Sequence, residues 1–269
     1  MEAKIISQAD MTHCEIIQTK QFEIGYYAQK SPLKTTPNED SLGIITNGSR
    51  TILLVADGVG GRPQGEIASH LAVANIINQL KKEDKIPHNL SVLRQEILDC
   101  IDDSNEKLIS EHIGSCTTLT ACVISHATLQ NIQIGDSCVI VCGQKGLLKY
   151  KALEHSGVGL ALAADLLSEK AALVHPDRNI ILNVLGSTAM HVDIGPKIVL
   201  AIHDTILLAS DGLFDNFLIN DLIEIIRKES LTEVVTKLTE KFQPMRDLAN
   251  ADRYYKIDDV SFIVCRQIS

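Results

Sequence analysis

Two aspartate–glycine pairs terminate nearly identical apolar runs. Residues Thr51–Gly58 read TILLVADG and residues Thr205–Gly212 read TILLASDG, with six of eight positions the same. A carboxylate at the end of a buried strand is costly unless something compensates its charge. Two such ends invite the idea that Asp57 and Asp211 meet at one cation. The plain alternative is a turn, since glycine accepts positive φ and aspartate bonds its own backbone. Other acids occupy similar settings. Asn38-Glu39-Asp40 precedes the apolar run Ser41–Thr46, and Gly135-Asp136-Ser137 separates Leu129–Ile134 from Cys138–Cys142. Asp258-Asp259 opens the run Val260–Cys265. Acids at this many strand ends suit a multi-metal cage of oxygen ligands, the donor set that hard ions such as Mg²⁺ and Mn²⁺ take.

The elements that must position them follow from periodicity. Strands are expected at Glu15–Thr19, Ser41–Thr46 and Thr51–Ala56. A helix from Gln64 to Lys82 carries Ala68, Ala72, Ile76 and Leu80 at i+4 spacing. A polar connector at 81–89 leads to a second helix over Ser91–Glu111. Consecutive strands follow at Thr117–Ser125, Leu129–Ile134, Cys138–Cys142 and Leu147–Lys151, the last two joined by the tight turn Gly143–Gly146. Residues 153–190 break the pattern and read as a flap inserted over the strand ends, with a helical stretch near Ala161–Leu173. Strands resume at Lys197–Ile202 and Thr205–Ala209. Helices are expected at Leu213–Glu229 and Leu231–Phe242, the latter opened by the capping box Ser230-x-x-Glu233. After a polar loop at 243–256 the strand Val260–Cys265 closes the sheet. Strands in runs, with helices in pairs between them, favour an α+β sandwich over a doubly wound sheet.

Bulk properties set the frame. The chain has 269 residues, 45% hydrophobic and 4% aromatic with no Trp, so one large domain over 1–269 with an aliphatic core is expected. A formal charge of −9 argues against nucleic acid or an anionic membrane as partner. The seven cysteines are odd in number and lie mostly in apolar runs without C-x-x-C spacing, which reads as buried free thiols in a reducing compartment. With no apolar run approaching 18 residues and no charged-then-apolar leader, the expectation is a cytoplasmic chain.

Taken in order, the motifs resemble a known family. They are Asn38-Glu39-Asp40, Asp57-Gly58-Val59-Gly60-Gly61 with Gly65-Glu66-x-Ala68-Ser69, Gly114-Ser115-x-Thr117-Thr118, Ile134-Gly135-Asp136-Ser137, Ala209-Ser210-Asp211-Gly212-Leu213-x-Asp215 and Asp258-Asp259-Val260-Ser261. Together they are similar to the metal-dependent protein phosphatases, the type 2C serine/threonine phosphatases, from about residue 20 to the C-terminus. The resemblance implies a four-layer αββα sandwich with two central, mainly antiparallel sheets and a dinuclear Mn²⁺ or Mg²⁺ centre between them. It implies that Asp57 bridges both ions, that the Gly58 carbonyl ligates one, and that Asp211 and Asp258 bind the other. Glu39 and Asp40 would act at or just outside the ions, and Asp136 with Asp211 would help hold a third. The implied reaction is phosphomonoester hydrolysis by in-line attack of an ion-activated water on phosphoserine or phosphothreonine proteins, with Asp57, Asp211 and Asp258 carrying the catalysis. Ser137 and Ser210 are then neighbours rather than nucleophiles.

The departures matter. The family places an arginine four residues before the Glu of Asn-Glu-Asp, where it holds the substrate phosphate; this chain has Thr35 there, with Lys34 beside it. Lys34 and Arg62 are the substitutes considered, with Arg178 in the flap as another. Lysine lacks the bidentate fork of arginine. The histidine that eukaryotic members carry two residues after the bridging aspartate is Val59 here. Glu154-His155-Ser156 varies the family's Asp-His-Ser, and His175-Pro176-x-Arg178-Asn179 resembles the flap of bacterial members. His155 and His175, although near the expected site, read as structural. A dinucleotide loop at Gly58–Gly61 fails because Pro63 stands where the third glycine belongs. The rival of a different class is a pseudophosphatase that keeps the fold as a regulatory binding module. Retention of Asp57, Asp136, Asp211 and Asp258 favours a catalytic enzyme, expected to be bacterial-type, as Val59 and the flap motif suggest, and monomeric.

Overall fold

The two copies of the repeated run become β5 (Arg50–Asp57) and β11 (Thr205–Ala209), strands in different sheets that pack against one another. The structure, a computed structural model, describes residues 1–47, 50–82, 89–111, 114–246 and 255–268, the side chains of 245 and 246 excepted. The first sheet runs β1 (Glu2–Ser7), β4 (Asp40–Asn47), β5, β6 (Leu119–Ser125), β7 (Thr128–Ile134) and β10 (Asp193–Val199). The second runs β2 (Glu15–Gln18), β3 (Phe22–Gln29), β12 (Val260–Gln267), β11, β8 (Cys138–Cys142) and β9 (Leu148–Lys151). Every pairing is antiparallel.

Side-chain alternation builds the layers. In β5, Leu53 and Val55 point into the core between the sheets. Ile52, Leu54 and Ala56 point the other way, toward helices α1 (Gly65–Lys82) and α2 (Leu90–Ser110). On the far side, α6 (Ile219–Ile226) and α7 (Leu231–Phe242) cover the second sheet with Leu222, Ile226, Val234 and Leu238. The result is the expected αββα sandwich. Asp57 continues the face of Leu53 and Val55, and Asp40 continues that of Leu42 and Ile44, so both carboxylates are aimed between the sheets. Each fully buried Leu or Ile contributes about 1.5–3 kcal/mol, and that aliphatic core is what lets acids be placed there.

Several expectations need correction. The reading omitted β1 and β3. β1 is a half-buried edge strand, and β3 is buried on both faces with a glycine at its centre, so neither gives clean alternation. β10 begins earlier than expected and is irregular between Ile194 and Lys197, where Pro196 cannot donate to the ladder. The helical stretch at 161–173 is two short helices, α3 (Gly157–Ala163) and α4 (Glu169–Ala172), each N-capped by a serine, with Asp165 in the left-handed region between them. The helix expected at 213–229 divides into α5 (Asp211–Phe214) and α6, because Asn216 turns its amide back onto the Gly212 carbonyl at 2.8 Å. The capping box at Ser230 and Glu233 is present, and β8 and β9 form the expected hairpin. Residues 83–88 of the expected connector at 81–89 and residues 247–254 of the expected loop at 243–256 lie outside the described residues; Gln243–Arg246 is a 3₁₀ turn. All seven cysteines are free thiols and all but Cys14 are buried. Burial pushes the Cys142 thiol up to about 12, which leaves it unreactive. Among the described residues no helix is long and apolar enough to cross a membrane.

Candidate active site

One end of the space between the sheets collects the acids. Antiparallel pairing sets the first carboxylate, at the start of β4, directly across from the last of β5, so Asp40 and Asp57 are register partners. Asp136 follows the end of β7, whose partner β6 begins beside Asp57: the Thr118 amide donates to the Asp57 carbonyl at 2.8 Å. In the other sheet β11 ends on Ser210-Asp211 alongside the start of β12, which Asp258 and Asp259 precede. Five connections thus deliver acids to one place.

Short hydrogen bonds fix the backbones that carry them. The Asp57 amide donates to Thr118 Oγ1 at 2.9 Å, and Thr117 Oγ1 donates to the Asp57 carbonyl at 2.9 Å. The Gly58 amide donates to the Glu39 carbonyl at 3.1 Å, which also accepts Ser69 Oγ at 2.6 Å. Ser210 Oγ donates to Asp40 Oδ2 at 2.9 Å, tying the two sheets together at the site. Two glycines allow the close approach. A Cβ on Gly58 would lie 2.3 Å from the Gly65 carbonyl oxygen, and one on Gly212 would lie 1.9 Å from that of Asp259.

The carboxylates divide into used and unused. Both oxygens of Asp259 are consumed, Oδ1 by the Ser31 amide at 2.6 Å and Oδ2 by the Glu39 amide at 2.8 Å and Lys34 Nζ at 2.8 Å. Asp259 therefore holds the Asn38–Asp40 loop to β12. By contrast Asp40 Oδ1, Asp136 Oδ1 and Asp211 Oδ1 are buried with no hydrogen-bond partner, as is Asp215 Oδ2. Buried oxygens with nothing to accept from cost on the order of 1–3 kcal/mol each, so their gathering in one place calls for cations. Burial, followed by the charges of Asp40, Asp211, Asp258 and Asp136, pushes the Asp57 carboxyl well above the usual carboxylate range. Burial and then Asp259 do the same to Asp40, while burial and then Asp211 do so to Asp136. Asp215 is pushed up to about 7 by burial and Asp211. Oxygen-only donors with this much uncompensated charge fit hard divalent ions. The acids form a ring rather than a tight claw. The described trio of ligating side chains whose atoms all lie within 4.8 Å of one another is elsewhere, at His155, His191 and Asp193.

Two lysines enter the ring. Lys34 Nζ bonds Glu39 Oε2 and stands 3.6 Å from Asp258 Oδ1. Its ammonium is therefore turned onto acids rather than left open for phosphate. Lys256 Nζ bonds Asp211 Oδ2 and lies 3.3 Å from Asp215 Oδ2 and 3.5 Å from Asp258 Oδ2. Burial works against its charge, yet the three carboxylates hold that ammonium well above its ordinary range. Arg62 is exposed on the glycine loop, and Arg178 is turned onto the Leu173 carbonyl. His155 is buried and accepts the Gly135 amide at Nδ1 (3.2 Å), with Nε2 3.1 Å from Asp193 Oδ2, so it braces the turn that presents Asp136. His175 accepts the Asp177 amide at 3.1 Å. The sequence reading passed over two groups here. Asp215 lies four residues after Asp211, one helical turn on, and Lys256 lies two before Asp258 in an extended approach, the spacing that puts side chains on one side.

A two-sheet sandwich with a ring of acids at one end of the inter-sheet space defines a class of hydrolase folds, and comparison with known proteins supplies the family. The protein phosphatase 2C family model matches residues 33–252. A putative protein phosphatase 2C-type protein of Streptococcus pyogenes serotype M6 is 30% identical over 224 residues, 81% of this chain and 87% of that one. The S. agalactiae serine/threonine phosphatase has the same fold, with a TM-score of 0.75 and 24% identity, covering 92% of this chain and 100% of that one. So does the catalytic domain of the serine/threonine protein phosphatase PstP, solved with two manganese ions (TM-score 0.72, 21% identity, 93% of this chain and 99% of that one). The chain belongs to the protein phosphatase 2C family.

Proposed function

We propose that the chain is a Mn²⁺- or Mg²⁺-dependent serine/threonine protein phosphatase that hydrolyses phosphomonoesters on phosphoproteins. The observation that carries the reading is the set of buried, unpartnered oxygens on Asp40, Asp136 and Asp211 around Asp57. Family membership supports it, as does the manganese in the PstP structure. Asp57, Asp211 and Asp258 would hold a pair of ions, with the Gly58 carbonyl, Glu39 and Asp40 beside them and Asp136 toward a further cation. When bound, such ions supply an activated water and neutralise the charge on the phosphoryl oxygens.

This chain's own residues do the rest. Thr117 and Thr118 lock the backbone of Asp57, so its carboxylate points between the sheets without rearrangement. Ser210 holds Asp40 by one oxygen and leaves the other open. Arg62, on the exposed glycine loop and with the planar fork suited to phosphate, is the group assigned to its recognition; Lys34 at the rim would take part only by leaving Glu39 and Asp259. Residues 153–190 are assigned as a flap beside the site within a single domain over 1–269. A monomer in the cytoplasm, acting on phosphoserine and phosphothreonine, completes the reading. No observation favours the pseudophosphatase alternative.

The test is hydrolysis of para-nitrophenyl phosphate and a phosphothreonine peptide with Mn²⁺ titrated in and EDTA as control. Turnover that needs the ion and disappears in Asp57→Ala supports the proposal. Ion binding by calorimetry without turnover on either substrate would overturn it.

A further inference from the structure

Lys256 does not behave as a surface lysine. Its side chain is 9% exposed, and its ammonium faces Asp211, Asp215 and Asp258 together. Its backbone is clamped from both sides by one residue. The Lys256 amide donates to Asn216 Oδ1 at 2.8 Å, and Asn216 Nδ2 donates back to the Lys256 carbonyl at 2.9 Å. The same Nδ2 donates to the Gly212 carbonyl at 2.8 Å, so the clamp is anchored in α5 beside Asp211 itself. The Asn216 side chain thereby holds the backbones of Lys256 and α5 in fixed relation, whatever the Lys256 side chain does.

The oxygens divide accordingly. Lys256 takes Asp211 Oδ2, while Asp211 Oδ1 and, nearby, Asp136 Oδ1 stay buried and unpartnered. The Asp211–Asp215 edge of the acid ring already has its positive charge, as the Glu39–Asp259 edge has Lys34, and the centre beside Asp57 does not. We propose that Lys256 is a tethered cation that fills the Asp211–Asp215 corner of the ring, so that the protein takes up one divalent ion fewer than its carboxylates would otherwise hold. Among the described residues the ammonium is the cation that faces Asp215, at 3.3 Å, and it leaves Asp211 Oδ1 available to the ions beside Asp57. A strongly hydrated point charge on a flexible stem can do this without the directional demands of a metal. It is also supplied with the chain, so the corner is neutralised at any metal concentration. The inference rests on the proposed metal-dependent site, and the following experiment separates the two.

Bound Mn²⁺ is counted by loss of the free-ion electron paramagnetic resonance signal and by calorimetry, in the full chain and in Lys256→Ala, Lys256→Met and Lys256→Arg. Lys256→Met keeps the stem and guards against a folding defect; Lys256→Arg keeps the charge. The expected result is one more ion per chain in Lys256→Ala than in the wild type, with Lys256→Arg like the wild type. In EDTA, Lys256→Ala and Lys256→Met should melt lower than the wild type by about 5 °C and gain more from added Mn²⁺. Equal stoichiometry and affinity in wild type and Lys256→Ala would overturn the inference and leave the phosphatase reading standing. Uptake absent from the wild type but present in Lys256→Ala would support the role of Lys256 and remove the catalytic reading.

Discussion

Gly212→Ala sets two physical effects against each other, and the structure says which wins. Gly212 lies inside helix α5, where alanine is intrinsically favoured over glycine by about 1 kcal/mol. The added Cβ, however, would stand 1.9 Å from the Asp259 carbonyl oxygen and 3.0 Å from Val260 Cγ2. An ordinary van der Waals contact of a Cβ begins at 3.4 Å, so α5 and the approach to β12 must part by about 1.5 Å. The Asp259 oxygen belongs to the backbone and cannot rotate away. Overpacking of this kind costs about 1–3 kcal/mol, which exceeds the propensity gain. An overlap with backbone this deep belongs at the upper end of that range, a net cost of about 2 kcal/mol, and at roughly 2–4 °C per kcal/mol for a chain of this size a fall of about 4–8 °C is expected. The displacement also separates Asp211 from Asp258, and misplacement of about 1 Å can cost on the order of 100-fold in rate. Differential scanning fluorimetry in EDTA and phosphatase assays at saturating Mn²⁺ read the two effects. Gly60→Ala is the control, since nothing lies within 4 Å of its added Cβ. A Gly212→Ala protein as stable and active as the control would refute the packing argument.

Other perturbations address the charges. Asp40, Asp57, Asp136 and Asp258 have carboxyls raised by burial first, and Asp215 is raised from 3.8 to about 7. The folded protein therefore binds more protons than the unfolded chain between those values, so metal-free stability falls as pH rises through that window. In EDTA the melting temperature should be higher at pH 5.5 than at pH 8; a higher value at pH 8 would contradict the burial of these acids. Saturating Mn²⁺ should reverse the slope, because ligands must lose protons to bind. Asp57→Asn should raise the metal-free melting temperature by about 2–4 °C while abolishing Mn²⁺-dependent turnover, and a lowered melting temperature would count against like-charge crowding at that position. Arg266 is buried and donates to Thr205 Oγ1 at 2.9 Å and to the carbonyls of Ile226 (2.5 Å) and Glu229 at the end of α6. Arg266→Ala should destabilise by about 3 kcal/mol without changing Mn²⁺ affinity, as calorimetry at a temperature well below unfolding would read.

Much of this was legible in the sequence because the same residues carry two signals. The runs ending at Asp57 and Asp211 are both strands and ligand carriers, and their near-identity corresponds to matching places in two facing sheets. The motif order carried the family and the αββα layering. What the sequence concealed is what depends on non-local pairing. β3 is buried on both faces, so period-2 alternation is absent from it. At the break between α5 and α6, Asn216 bonds not only Gly212 nearby but also Lys256, 40 residues away. Nothing local announces that bond. The adjacent acids Asp258 and Asp259 look equivalent on paper. Only the fold assigns Asp259 to two amides and a lysine and leaves Asp258 facing the ring.

That division explains how the fold tolerates so many buried acids. Every carboxylate here raises the free energy of the others, as the shifts at Asp57 and Asp136 reflect. The cost is met in three different ways. Asp259 and one oxygen of Asp40 are neutralised by hydrogen bonds that also join the loops and the two sheets, so these acids stabilise the frame. Lys34 and Lys256 neutralise the two rims with charges built into the chain. The remaining oxygens, on Asp40, Asp136 and Asp211, have neither, and they surround Asp57. A site satisfied entirely by protein groups would be stable and inert. One satisfied entirely by ions would lose its shape whenever they left. Because the rims are held by the chain and only the centre is left wanting, the ring can keep its geometry without ions and still bind them strongly.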